Sequence, residues 1–221
     1  KKGNLIAIFY SDYYPRDGKG AGAWCGRFRP QSYDGAMRVQ PIVTNVCNMT
    51  LPTEEGGPAL QTVDNVLTMF HEFGHALHSF FRDVQYEGTG GVERDFVELP
   101  SQINEHWAFE PEVLRQYARH YRTGEVIPQE LVEKIDASSK YGQGFATVEY
   151  LAASYVDLDL HYLTEMPKKL DVMKFQAEKM RKRGMPSQIL PRYSVTNFSH
   201  TMGGGYSAGY YSYIWAEVLD A

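Results

Sequence analysis

Two histidines and a glutamate stand together in the stretch TMFHEFGHALHSFF, residues 68–81. His71 and His75 are four positions apart, and side chains with that spacing project from the same face of a helix. Their ring nitrogens can therefore bind one zinc ion at about 2.0–2.1 Å each. Glu72 points about 100° away around the helix axis, so its carboxylate would lie beside such an ion and not on it. A general base occupies this position when a zinc-held water, its pKa lowered toward about 7, attacks a carbonyl.

The alternative interpretation is that these three residues are hydrogen-bonded polar interruptions of a core helix. Three fixed positions arise by chance in about one chain in a hundred of this length, so the motif alone does not decide between the two. Burying two imidazoles and a carboxylate among Phe and Leu side chains costs several kcal/mol unless something satisfies them. A metal ion would satisfy them, which favours the metal site.

A catalytic zinc ion usually has three protein ligands and a water, so a third ligand is expected downstream. Glu98, at the start of the next predicted helix, is the preferred candidate; the alternative for it is a carboxylate that is favourable at a helix N-terminus. Weaker candidates for the third ligand are Glu93, Glu105 and His78. Residues that could orient the histidines through their second ring nitrogen are Asp95, Gln102 and Glu105, although each could equally be an exposed helix residue.

The elements that position these residues follow from hydrophobic spacing. Apolar side chains recur every three or four residues from Val63 to Phe81, which predicts a buried helix capped by Thr62 or Asp64. Residues 4–50 consist of β-branched and aromatic runs separated by turn residues, which predicts a three-stranded meander. Further helices are predicted over residues 95–122, 128–138, 143–164, 170–183 and 205–220. The predicted fold class is mainly α with a small antiparallel β-sheet, an α+β fold.

Composition limits the class of protein. The 221 residues are 43% hydrophobic and 22% charged, which is typical of an ordinary globular chain. We expect a single domain over residues 1–221, with the meander in residues 1–50 and the helical part with the metal site in residues 51–221. The chain starts abruptly on a strand pattern and stops within a helix pattern, so we expect a fragment of a longer protein.

The net charge and the cysteine content limit the classes of binding partner and the cellular compartments that we expect for this protein. The net charge of −5 gives no reason to expect nucleic acid or an anionic membrane as a partner. No stretch approaches the roughly 18 apolar residues of a membrane span. Cys25 and Cys47 are too few for a disulfide framework. We therefore expect a cytoplasmic monomer, although a periplasmic location also fits.

Several blocks of the sequence resemble the M3 family of zinc metallopeptidases. They are YYPRDGKGAGAWCGRF, PIVTNVCNMT, FHEFGHALH, GGVERDFVELPSQINEHW and SHTMGGGYSAGYYSYIWAEV, in the family's order. The resemblance covers nearly the whole chain. It implies a zincin-type catalytic region of a larger helical peptidase, with His71, His75 and Glu98 as ligands of one zinc ion per chain and Glu72 as general base.

The resemblance also implies roles for the C-terminal block. His200, Tyr206 and Tyr213 match family residues that hydrogen-bond the substrate carbonyl and the tetrahedral intermediate, and Tyr210 is placed with them as a substrate contact. The alternative is packing, since tyrosines at such spacing on a helix more often fill a core. Residues 203–205 are three glycines that could form a hinge for a loop folding over substrate.

Peptide recognition is expected along an edge strand. The stretch GAGAWCG could add an extended peptide by main-chain hydrogen bonds; the alternative is an interior strand. The resemblance to the M3 family favours the first and implies Gly22 and Ala23 as contacts with the substrate backbone. The expected function is hydrolysis of short peptides with release of C-terminal dipeptides, because the residues in these sequence blocks are similar to those of dipeptidyl carboxypeptidases. The alternatives are an internally cutting oligopeptidase and a zinc- and peptide-binding fragment with little activity. Candidates to hold the substrate's terminal carboxylate are Arg192, Tyr193, Arg94 and Lys140.

Overall fold

The computed structural model describes residues 3–53, 56–165 and 167–221. They divide into two compact units. The first unit runs up to Ile127 and includes Ala216–Ala221, and the second spans Pro128–Trp215. The expectation of a single domain over residues 1–221 stays a prediction.

The first unit contains two small sheets. The strands are β1 Ile8–Asp12, β2 Trp24–Arg29, β3 Ser32–Asp34, β4 Met37–Val39 and β5 Ile42–Val46. The larger sheet has the order β1-β5-β2, with β1 and β5 parallel and β2 and β5 antiparallel, and β3 pairs with β4 alone.

The prediction of a simple meander is therefore wrong in its connectivity. Strand β5 lies between the first two strands, and one of the two pairings in this sheet is parallel. The reason is burial: Val43 and Asn45 of β5 are buried, whereas several residues of β1 and β2 are exposed. The strand with the most buried side chains takes the centre, and the more exposed strands take the edges.

Three helices follow in the first unit: α1 Val63–Phe81, α2 Leu99–His106 and α3 Pro111–Tyr117. The predicted helix over residues 63–81 is confirmed. Its cap is Thr62, whose hydroxyl accepts the backbone N–H of Asn65 at 3.1 Å.

A single helix over residues 95–122, by contrast, is wrong. Residues 94–98 form a turn before α2, and a second break precedes α3. Glu110 has an extended ψ of 127°, because a proline disfavours the helical conformation of the residue before it. The chain therefore restarts as a separate helix at Pro111.

Helix α1 lies against the larger sheet through an apolar face. Ala76 and Phe80 of α1 form one buried cluster with Val43 of the central strand. The Phe80 ring also meets Phe9 of β1 edge-on, with ring centroids 5.5 Å apart. Helix α1 also packs against α2.

The second unit is helical. Its elements are α4 Gln129–Ser139, α5 Gln143–His161, α6 Val172–Lys182, α7 Ser199–Met202 and α8 Ser212–Asp220, the last of which ends in residues assigned to the first unit. Its core includes Val156 and Leu160 of α5, Met180 of α6 and Val195. The predicted helices near residues 128–138, 143–164 and 170–183 are confirmed with small shifts of their ends.

The predicted helix over residues 205–220 is wrong in its first half. Gly205 and Ala208 have φ of 84° and 53°, which an α-helix cannot contain. The helical turn begins only at Ser212. The architecture as a whole, mainly helical with a small sheet, confirms the predicted fold class. None of the helices in the described ranges is both long and apolar enough to cross a bilayer.

Candidate metal centre

Helices α1 and α2 bring three predicted ligands to one point. His71 and His75 lie one turn apart on α1, and Glu98 is the N-cap residue directly before α2. The Oε2 atom of Glu98 is 3.2 Å from the Nε2 atom of each histidine. The ligand atoms of these three residues, the metal triad, all lie within 4.8 Å of one another.

The spacing and burial of the metal triad fit a tetrahedral metal ion. Two atoms that are each about 2.0–2.1 Å from one tetrahedral zinc ion are about 3.3 Å apart, and the observed separations are 3.2 Å. Glu98 is 2% exposed. A carboxylate this deeply buried needs a positive partner, and a divalent cation held by both histidines would provide one.

The electrostatics of His71 lead to the same conclusion. Burial lowers the pKa of His71, but the carboxylates of Glu105 and Glu98 outweigh it and raise the pKa to about 10. The surroundings therefore stabilise a positive charge at this ring. A proton and a metal cation are two ways to supply that charge, and metal binding displaces the proton.

Glu72 is a buried carboxylate beside the metal triad. It is 5% exposed, and its Oε2 atom has no hydrogen-bond partner among the described residues. Burial raises the pKa of Glu72, and the charges of His71 and His75 lower it by less. A buried carboxylate with a raised pKa can take up a proton and give it back during a reaction.

Two further side chains contact residues of the metal triad. Glu105, one of the predicted supporting residues, has its Oε1 atom 2.6 Å from Nδ1 of His71. Such a contact orients the ring and leaves Nε2 for the metal. Ser101 was missed by sequence reasoning: its buried hydroxyl lies 2.7 Å from the backbone carbonyl oxygen of Glu98 and 3.1 Å from Oε2 of the same residue, and it can donate to either. Ser101 lies three residues after Glu98 at the start of a helix, and this spacing could have identified it from the sequence. The supporting roles of Asp95 and Gln102 stay predictions.

Gly74 allows the two helices to approach closely enough to form the triad. A Cβ atom on Gly74 would lie 2.5 Å from the carbonyl oxygen of Pro100 and 2.6 Å from Cα of Ser101. The side-chain amide of Asn104 also donates to the carbonyl of Phe70 at 2.6 Å. The apolar spacing that predicts α1 does not single out Gly74. A glycine inside a helix-borne histidine motif is the signal that sequence reasoning overlooked.

The rival third ligands are not part of the group. Within the described ranges, the metal triad is the one set of three or more His, Cys, Asp or Glu side chains whose ligand atoms could share an ion. Glu105 contacts His71 through the other ring nitrogen. His78 and Glu93 are outside the set, and burial lowers the pKa of His78.

Gly22 and Ala23 lie just before β2, which is an edge of the larger sheet. Gly22 has φ of 87°, a conformation that favours glycine. Its carbonyl accepts the side-chain amide of Asn48 at 2.7 Å. The two residues are therefore held in a turn at the start of the strand, and their contact with substrate stays a prediction.

The second unit contains the remaining predicted site residues as one aromatic group. The rings of Tyr206 and Tyr213 stack with centroids 5.4 Å apart and planes 18° apart. The His200 ring lies 6.1 Å from Tyr206 and 6.3 Å from Tyr213. These three residues are called the His–Tyr set below, and their catalytic role stays a prediction.

Tyr210 differs from the His–Tyr set. It is buried, and its ring packs edge-on against Phe198 at a centroid distance of 4.7 Å. Burial raises the pKa of its hydroxyl. This ring packs in the core of the second unit, and its contact with substrate stays a prediction.

Comparison with known proteins connects the site to a family. The model of Peptidase family M3 matches residues 1–221. The chain is 43% identical over 217 residues to the dipeptidyl carboxypeptidase of Escherichia coli K12, covering 97% of this chain and 31% of that protein. It is 39% identical to oligopeptidase A of the same organism, covering 98% of this chain and 32% of that protein. It is 31% identical to saccharolysin of Saccharomyces cerevisiae, covering 99% of this chain and 31% of that protein. The chain thus spans about a third of the length of these relatives.

Proposed function

The chain belongs to peptidase family M3, and from that premise we propose that it is the zinc-binding catalytic part of an enzyme that hydrolyses short peptides. The observation that carries the proposal is the metal triad, in which Oε2 of Glu98 lies 3.2 Å from Nε2 of each histidine, with the buried Glu72 beside it. We propose one zinc ion per chain.

The chemistry assigned to the residues follows from their contacts. Zinc held by the metal triad would polarise the scissile carbonyl and lower the pKa of the attacking water. Glu72 takes the proton of that water and passes it to the departing amine. The Glu105 carboxylate contacts Nδ1 of His71 and so orients the His71 ring. The Ser101 hydroxyl contacts Oε2 of Glu98 and so orients that carboxylate. The general base is thereby kept next to a rigid set of ligands.

The His–Tyr set supplies the hydrogen bonds to the substrate in this proposal. Support comes from the family resemblance of the block around Tyr206 and from the close packing of the three rings. A preorganised O–H or N–H donor to a developing oxyanion contributes a factor of about 10² or more in rate. Gly22, Ala23 and Tyr210 are proposed to contact the peptide itself.

Release of C-terminal dipeptides is the proposed mode of cleavage. It is supported by 43% identity to a protein named dipeptidyl carboxypeptidase. Internal cleavage is the second candidate, supported by 39% identity to oligopeptidase A. The last candidate function is zinc and peptide binding with little activity. It is supported by the coverage of the relatives, since the chain spans only about a third of their length. We propose a monomer in the cytoplasm, with the periplasm as the alternative; the net charge of −5 favours neither nucleic acid nor an anionic membrane as a partner.

One experiment separates these candidates. The zinc-loaded chain is incubated with an unstructured nonapeptide, free or amidated at its C-terminus, and the products are identified by mass spectrometry. Glu72→Gln is the control. Sequential loss of dipeptides from the free peptide alone supports dipeptide release, and internal cuts in both peptides support an oligopeptidase. Absence of any Glu72-dependent cleavage would indicate a binding fragment.

A further inference from the structure

A buried aspartate in the second unit has no part in the chemistry described so far. Asp157 lies in α5 and is 1% exposed. An ionised carboxylate taken out of water costs several kcal/mol unless hydrogen-bond donors surround it. The identity of those donors therefore shows what the residue is for.

The donors come from the turn that precedes α8. The backbone N–H of Ala208 donates to Oδ1 of Asp157 at 2.9 Å, and the N–H of Tyr210 donates to Oδ2 at 3.0 Å. His161, one turn along α5, has its Nδ1 atom 2.8 Å from Oδ1. Both carboxylate oxygens are thus engaged, one by each end of a three-residue segment.

That segment needs an external partner because its conformation is unfavourable on its own. Ala208 has φ of 53°, the one positive φ of a non-glycine residue in the described ranges. A residue with a Cβ atom is disfavoured in this region because the Cβ atom crowds the following carbonyl oxygen. Two hydrogen bonds to a charged acceptor outweigh this cost, because charge-assisted hydrogen bonds are stronger than those between neutral groups.

A second residue of α5 holds the same turn from its acceptor side. The Tyr150 hydroxyl donates to the carbonyl of Tyr210. Tyr150 and Asp157 are two turns apart on α5, so they present a donor and an acceptor along the same face. The peptide groups on both sides of Tyr210 are therefore bound by this helix.

We propose that Asp157 is a positioning residue, which clamps the turn from Ala208 to Tyr210 and thereby sets the placement of the rings of Tyr206 and Tyr213. Tyr206 precedes the clamped segment, and Tyr213 follows it in the first turn of α8. The two rings stack across it, 5.4 Å apart. The catalytic purpose of the clamp rests on the role proposed above for Tyr206.

The test compares two Asp→Asn variants of the same helix in the zinc-loaded full chain. In Asp157→Asn the amide can offer an acceptor to only one of the two N–H groups. Asp159→Asn is the matched control, because Asp159 pairs with Arg183 at 2.8 Å and not with the turn. Hydrogen exchange by mass spectrometry should show at least tenfold faster exchange of residues 207–211 in Asp157→Asn and no change in Asp159→Asn.

A double-mutant cycle of ligand binding then tests whether Asp157 acts through the ring of Tyr206. The probe is a phosphinic peptide, which mimics the tetrahedral intermediate, and its Kd is measured by calorimetry. Asp157→Asn should weaken binding about tenfold when Tyr206 is present and less than twofold in a Tyr206→Phe background, because residues that act together are not additive. Equal weakening in both backgrounds would overturn the positioning role.

Two further outcomes separate the clamp from the proposed function. Unchanged exchange in Asp157→Asn refutes the clamp itself. Faster exchange together with an unaltered Kd for Tyr206→Phe alone refutes the role of Tyr206, and with it the catalytic purpose of the clamp. If Asp157→Asn does not fold, exchange in the unsubstituted chain decides: the N–H groups of Ala208 and Tyr210 must be protected, and exchange at the rate of open amides overturns the proposal.

Discussion

Gly74 and Pro100 approach so closely that a Cβ atom on Gly74 would lie 2.5 Å from the Pro100 carbonyl oxygen. The contact lies between the two histidines of the metal triad in sequence, at the place where α2 meets α1. Glu98 can therefore reach both histidines only while this position has no side chain. The glycine thus contributes to the metal triad by leaving room for α2 to approach α1.

Gly74→Ala should destabilise the fold and weaken the metal site. The added methyl group meets backbone atoms, so the helices must separate, and overpacking of this kind costs about 1–3 kcal/mol. The Tm and the zinc dissociation constant, measured by competition with a chelator, report the two effects. The control is Gly144→Ala in α5, where an added Cβ atom has no neighbour within 4 Å. That variant should be neutral or slightly stabilising. Equal zinc affinity in both variants would contradict the explanation.

Glu72→Gln should bind zinc but not hydrolyse peptide. The substitution keeps the shape of the side chain and removes its ability to accept a proton, which lowers kcat by a factor of roughly 10²–10⁴. His75→Ala should instead lose zinc, because it removes a ligand. Metal content and kcat measured on the same samples distinguish the two. Loss of zinc in Glu72→Gln would show that Glu72 is a ligand and not a base.

Glu105→Gln and Ser101→Ala should weaken zinc binding without removing a ligand. Each loses a contact that orients a ligand atom, at 2.6 Å for His71 and 3.1 Å for Glu98. Loss of such contacts costs about 10–100-fold in metal affinity. Chelator competition measures the affinity, with Glu112→Gln on the exposed face of α3 as the control. An affinity unchanged in Glu105→Gln would argue against the orienting contact.

The two cysteines should react slowly in the native protein. Burial raises the pKa of Cys25 to about 12 and that of Cys47 to about 11, with a further contribution from the charge of Glu72. At pH 8 both thiols are protonated and poorly nucleophilic. A thiol-specific chromogenic reagent should therefore label them rapidly only after unfolding in denaturant. Rapid labelling of the folded chain would contradict this.

The same pKa shifts predict how stability depends on pH. An unfolded thiol ionises near pH 8.5, so above that pH the unfolded chain loses protons that the native chain retains up to about pH 11–12. The native state then binds more protons, and the free energy of unfolding falls as the pH rises through this window. Denaturant unfolding at pH 8 and pH 10.5 measures the fall. It should be smaller in a Cys25→Ala, Cys47→Ala variant, which removes the thiol contribution.

Several features of this protein can be predicted from its sequence because they depend on residues that are close together in the chain. The spacing of His71 and His75 places both rings on one helix face whatever surrounds the helix, and the cap at Thr62 and the apolar period of α1 are equally local. Glu98 followed from the number of ligands that zinc requires, because a two-histidine site is incomplete.

Tertiary structure decided what depends on residues far apart in the chain. Strand β5 takes the centre of its sheet because of what it buries, and Gly74 matters because Pro100 lies against it. Residues 205–211 are not helical because the carboxylate of Asp157, on another helix, binds the N–H groups of Ala208 and Tyr210. No periodicity in the sequence encodes such contacts, since each requires two elements to be packed together before the hydrogen bond or the close approach exists.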